Sequence, residues 1–271
     1  MTLRKGRSSP TTLWRFLLRS LALRADGPTP PLLDPVHCDA PVLRQAEIAA
    51  VYSGDRVAGD FYEFLRVGPS RMLFVLLDVA GTRAGTREIL IEVQKTFRKR
   101  APQLFIEEDF NETTAMIELC YEMNRTIMRG GLRSCPAFLG CYNEDLGTLC
   151  YANAGHPPGM LRDAAGITML GATGLPLGLF SHTTQSAGAC HLMPGSALLV
   201  VSRGIIEAES SLGREFGIDG TQQSFQSAPP AGAHEMCMAV VEAVRQFAAA
   251  TPSHNDLTTL GLVRSMAAEP L

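Results

Sequence analysis

The chain has 271 residues, 46% of them apolar and 19% charged, with a net charge of −3. That composition suits a folded globular protein and excludes a disordered chain. There is no overall basic field to draw nucleic acid, and no apolar run reaches the ~20 residues of a membrane helix.

Residues 1–25 carry Arg4, Lys5, Arg7, Arg15, Arg19 and Arg24 and no acid. Trp14, Leu17, Leu18 and Leu21 recur at helical spacing, so the segment reads as a short basic amphipathic helix. Arg15 and Arg19 interrupt its apolar stretch, which argues against a secretory signal peptide. Packing on the domain or on a partner chain is the plainer reading. Weak contact with an anionic membrane surface and an organelle transit peptide are the others. Residues 26–42 hold Pro28, Pro30, Pro31, Pro35 and Pro41, a density that prevents a continuous helix and marks a linker. The folded domain is expected over 43–266, with 267–271 as a tail.

Within it, Ile48 to Tyr52, Phe61 to Val67 and Met72 to Leu77 read as three strands. A helix is predicted near 85–100, stopping before Pro102, and a second near 112–129, ending at Gly130-Gly131. Strands follow near 137–143, 148–153, 159–162 and 187–192, and Ala197 to Val201 reads as a buried strand. A helix near 233–249 and a strand near 257–263 close the domain. Short connections between strands, with helices in blocks, favour stacked antiparallel sheets over a doubly wound parallel one. Seven cysteines, none in CxxC spacing and most in apolar stretches, suggest reduced buried thiols in a cytoplasmic protein.

Two acids stand at strand ends. Asp60 opens a strand in Ala58-Gly59-Asp60-Phe61-Tyr62-Glu63-Phe64, and Asp78 closes one ahead of Val79-Ala80-Gly81. Carboxylates beside a small-residue turn can hold Mg²⁺ or Mn²⁺, which prefer oxygen ligands; turn formation or helix capping is the commoner role of such residues. Tyr151 to Pro158 ends a strand in a proline-fixed turn containing Asn153, Gly155 and His156. His156 is either a proton donor at a cleft or a structural histidine.

Taken in order, these segments resemble the SpoIIE/RsbU branch of the metal-dependent (PPM, type 2C-like) serine/threonine protein phosphatases. Ala58 to Phe64 is similar to GGDFYDF, Asp78 to Gly81 to DVSG, and Tyr151 to Pro158 to YANAGHPP. Gly174 to Leu179 is similar to GLPLGL. Met193 to Gly217 resembles PGDxLLLYTDGxxEAxxxxGExFG, and Asn255 to Thr258 resembles DDxT. The resemblance spans roughly residues 42–265. It implies an α+β fold, an α-β-β-α sandwich of two central antiparallel sheets flanked by helices. It also implies two Mn²⁺ or Mg²⁺ ions that activate a water for attack on phosphoserine or phosphothreonine. The substrates implied are phosphoproteins such as STAS-type anti-sigma-factor antagonists.

By that pattern Asp60 and Asp78 are the catalytic, metal-holding acids, with backbone oxygens near Val79 and Gly81. The third and fourth acids fall on Arg203, in Ser202-Arg203-Gly204, and on Asn255. Two carboxylates and one guanidinium leave a net −1 where four carboxylates would give −4. A guanidinium about 4 Å from a divalent ion is repelled by roughly 8 kcal/mol at an effective dielectric of about 20. At most one ion is therefore expected, with Asp256 or Glu207 as substitute ligands. The resemblance then implies either a pseudophosphatase, with Arg203 salt-bridged to Asp60, Asp78 or both, or a slow Mn²⁺-dependent enzyme.

Overall fold

The computed structural model describes residues 40–53, 59–79, 83–106, 111–131, 134–182, 185–229, 232–249 and 255–266. The amphipathic segment 1–25, most of the linker, Gly81 and the tail lie outside the described residues. The chain divides after Pro31, and all the described residues belong to the compact unit Leu32–Leu271.

Ten strands form two five-stranded antiparallel sheets. One sheet runs β1 (Ala46–Ser53), β10 (Leu257–Arg264), β9 (Ala197–Val201), β6 (Gly159–Asp163) and β7 (Gly166–Leu170). The other runs β2 (Phe61–Val67), β3 (Arg71–Leu77), β4 (Ala137–Asn143), β5 (Thr148–Ala154) and β8 (Gly188–His191). Helices α1 (Arg83–Phe105) and α2 (Glu112–Arg129) cover the second sheet. The short α3 (Arg203–Ile206), with α4 (Gly217–Ser227) and α5 (Ala233–Ala248), covers the first.

Strand side chains alternate between faces, so a strand buried on both sides must be apolar throughout. β3 shows this directly. Leu73, Val75 and Leu77 pack under α1 and α2, while Met72, Phe74 and Leu76 enter the layer between the sheets. β9 behaves likewise, with Leu198 and Val200 between the sheets and Leu199 and Val201 under α5. The central layer is close enough that Gly140 on β4 is required: a Cβ there would stand 2.1 Å from the Phe74 ring.

Several elements differ from the sequence expectation. α1 runs through Pro102 to Phe105. Proline in a helix interior loses one hydrogen bond and crowds the preceding turn. Here it sits in the last turn, and burial of Ala101 and Phe105 in the core offsets that cost. β7, α3 and α4 were not anticipated. α4 has the sequence GIDGTQQSFQS, with two glycines and little apolar periodicity; Thr221 and Phe225, buried against the sheet, hold it in place.

Candidate functional site

Four chain segments distant in sequence meet at one end of the sandwich. The register pairs Phe61 with Leu77 in one sheet and Val201 with Thr259 in the other, and hydrogen bonds from Arg203 to Asp78 and from Thr258 to Asp60 join these strand ends across the sandwich. This brings Asp60, Asp78, Arg203 and Asp256 to one locus. A glycine admits each close approach. A Cβ on Gly204 would stand 2.0 Å from the Asp256 carbonyl oxygen, and one on Gly59 3.2 Å from that of Val79.

Arg203 is the first residue of α3 and engages Asp78 three times. Its backbone N–H donates to Oδ2 at 2.8 Å, its Nε–H to Oδ2 at 3.0 Å, and its Nη2–H to Oδ1 at 3.0 Å. This is the planar, two-pronged match of guanidinium to carboxylate. The Asp78 side chain is 8% exposed and that of Arg203 41%. The pairing raises the proton affinity of the guanidine, chiefly through the Asp78 hydrogen bond. The Asp78 backbone N–H is fixed by the Pro136 carbonyl at 2.9 Å.

Asp60 takes a different partner. The Thr258 hydroxyl donates to its Oδ2 at 2.6 Å. Burial, and then the neighbouring Asp78 charge, push its pKa up to about 8; the hydroxyls of Thr258 and Ser202 act the other way. Asp256 adds a smaller upward push, which places that acid close by. Ser202 ties the floor together: its hydroxyl accepts from Thr258 N–H at 3.1 Å and donates to the Asp256 carbonyl at 3.3 Å. The roles of Thr258 and Ser202 were missed from sequence, although Thr258 stands at the threonine of the DDxT-like segment. Asn255 donates from Nδ2 to Glu207 Oε2 at 3.4 Å.

The Asn153-Gly155-His156 stretch is a rigid turn. Asn153 Oδ1 accepts His156 N–H at 2.9 Å, and Nδ2 donates to Leu170 O at 3.2 Å. Gly155 adopts φ 66°, with Pro176 against it. His156 Nδ1 contacts the Pro157 carbonyl at 3.1 Å, which makes that nitrogen the donor. Burial lowers the imidazole pKa to about 4, despite an upward pull from Asp78. At neutral pH the ring is uncharged and its proton is already committed, an arrangement suited to a structural histidine rather than a proton donor. Cys135 is buried, and burial raises its thiol pKa further above that of a free cysteine.

Both Asp78 oxygens are engaged by Arg203, and among the described residues no three His, Cys, Asp or Glu side chains are grouped to hold a metal ion.

Residues 68–265 match the sequence pattern of the family described as Stage II sporulation protein E (SpoIIE). The chain belongs to the SpoIIE family. It is a PPM-type phosphatase domain of the SpoIIE/RsbU kind. Phosphoserine phosphatase RsbP of Bacillus subtilis (strain 168) is 22% identical over 171 residues, which is 62% of this chain and 41% of RsbP. The chain thus spans less than half the length of that relative. Among solved structures, the RsbU and RsbW domains of Rv1364c from Mycobacterium tuberculosis superpose with a TM-score of 0.68. The identity is 24%, covering 85% of this chain and 63% of that one. The PP2C phosphatase domain of SpoIIE from Bacillus subtilis also gives 0.68, at 16% identity and 83% and 64% coverage. Likeness at these identities establishes the fold, and the two antiparallel sheets flanked by helices are that fold.

Proposed function

We propose that this SpoIIE-family domain is a pseudophosphatase that acts in phosphorylation-controlled partner switching, binding a phosphoprotein or STAS-type regulatory protein without turning it over. The observation that carries this reading is the two-pronged Arg203–Asp78 pair. By resemblance Asp78 is one of the two acids that would hold metal. Here its two oxygens are satisfied by a cation of the protein itself. The pair also ties the end of β3 in one sheet to the end of β9 in the other. The Thr258–Asp60 bond makes a second tie of the same kind. A fold closed in this way has no need of metal at that end.

The chemistry agrees with the geometry. Hydrolysis in this family needs divalent charge to activate water and to offset the phosphoryl oxygens. One guanidinium already neutralised by Asp78 supplies neither. His156 is neutral and buried, and offers no replacement acid. Likeness to RsbP, a phosphoserine phosphatase, and to a chain carrying RsbU and RsbW domains supports a regulatory protein as partner.

A slow one-ion enzyme is the second reading, favoured by Asp256 lying close to Asp60. A phosphatase assay with Mn²⁺ on a phosphoserine peptide separates the two. The pseudophosphatase reading expects no turnover from the natural chain and turnover from the double variant Arg203→Asp plus Asn255→Asp. Turnover by the natural chain that Asp78→Asn abolishes would overturn it.

A further inference from the structure

The position of Asp78 is set from outside the site. Its N–H is held by Pro136, and the neighbouring Cys135 exchanges both backbone bonds with Leu177, at 2.6 and 3.0 Å. Ser134, just ahead, takes φ 66°, an uncommon conformation for a residue with a Cβ. Such a conformation persists when the surroundings hold it. The hold comes from the loop that carries Leu177. In that loop Gly178 turns at φ 78° and gives its N–H to Asn124 Oδ1 at 2.7 Å. Asn124 Nδ2 donates to the Phe180 carbonyl at 3.1 Å.

Asn124 is an unusual residue for its place. It lies on the buried face of α2 among Cys120, Met123 and Ile127, and is 1% exposed. Asparagine is a weak helix former, and a buried amide is unfavourable unless bonded. Both ends of its amide are directed at the backbone of this one loop.

We infer that Asn124 is a positioning residue for the Arg203–Asp78 pair. It latches the loop at Gly178 and Phe180 to α2. Through Leu177, Cys135 and Pro136 it fixes the backbone from which the Asp78 carboxylate projects. The inference deepens the proposed function and rests on it for the presence of the pair in solution.

The Arg203 Nε–H group reports the pair directly by NMR, its resonance assigned by its loss in Arg203→Lys. In the natural chain it is expected to exchange slowly with water; fast exchange there would overturn the pairing itself. Given slow exchange, Asn124→Ala is expected to speed it by about tenfold or more, because the loop loses both bonds that hold it. Val241→Ala, on the buried face of α5, removes core volume without removing either Asn124 bond and is expected to leave that exchange unchanged. Unaltered exchange in Asn124→Ala would overturn the positioning role. Should that variant fail to fold, native-state hydrogen exchange of the natural chain decides. The amides of Gly178, Leu177, Cys135 and Asp78 are expected to open as one unit, and independent opening would refute the latch.

Discussion

Replacing Arg203 by methionine removes the guanidinium while keeping much of its aliphatic length. The backbone N–H of residue 203 still reaches Asp78 Oδ2, so one of three bonds survives. Two charge-assisted bonds to a carboxylate that is 8% exposed are lost. Breaking a fully buried pair costs about 3–5 kcal/mol, and an exposed pair is worth about 0.2–1 kcal/mol. Arg203 is 41% exposed, so water partly screens the interaction and can reach the orphaned carboxylate. An intermediate loss of about 2 kcal/mol is expected. For a domain of this size that lowers Tm by about 4–8 °C. Urea unfolding of the natural chain and the variant measures it, and Mn²⁺ provides a second arm. The ion is expected to leave the natural chain unchanged and to restore part of the stability of Arg203→Met, where Asp78 is free to bind it. A loss below about 0.5 kcal/mol, the size of an ordinary surface change, would refute the view that this pair closes the site.

Three further outcomes follow from neighbouring residues. Asp60 has its pKa raised from 3.8 to about 8, so between those values the folded chain holds a proton that the unfolded chain has released. Stability is therefore lost as pH rises toward 8, by at most about 1.4 kcal/mol per pH unit; Asp60→Asn is expected to flatten that limb in denaturation measured from pH 6 to 9. His156 shifts the opposite way, from 6.5 to about 4. Its share of stability is complete above 6.5 and is lost as pH falls toward 4, and His156→Gln is expected to reduce the acid sensitivity in that window. Gly204→Ala would put a Cβ 2.0 Å from the Asp256 carbonyl oxygen, and a destabilisation of about 1–3 kcal/mol is expected by thermal unfolding.

Much of the architecture could be read from the chain because doubly buried strands have a distinctive composition. Met72 to Leu77 and Ala197 to Val201 are apolar on both faces, and the structure packs both faces of each. Periodicity likewise marked α2, whose apolar face carries Met116, Leu119, Cys120, Met123 and Ile127. It could not mark α4, where two buried residues and tertiary contact do the work of a pattern. Nor could it place the end of α1, because the penalty at Pro102 is local while the compensating burial of Phe105 is long-range.

The site was legible only as a set of positions. Motif order located Asp60, Asp78, Arg203 and Asn255, but not the direction in which each side chain turns. Arg203 turns to Asp78 rather than Asp60 because α3 begins with its N–H already on the Asp78 carboxylate, which fixes the start of the side chain. Asp60 is left to Thr258, a partnership that depends on β10 facing β2 across the sandwich. Asn124 gave no signal, since one asparagine in a helix pattern is unremarkable until its two partners in the loop at Gly178 and Phe180 are visible.

The central claim is that a guanidinium stands in place of bound metal, and titration calorimetry with Mn²⁺ on the natural chain tests it most directly. The account expects no saturable uptake by the natural chain, with binding emerging in Arg203→Asp plus Asn255→Asp. Tight uptake of two ions per natural chain, lost in Asp78→Asn, would contradict it.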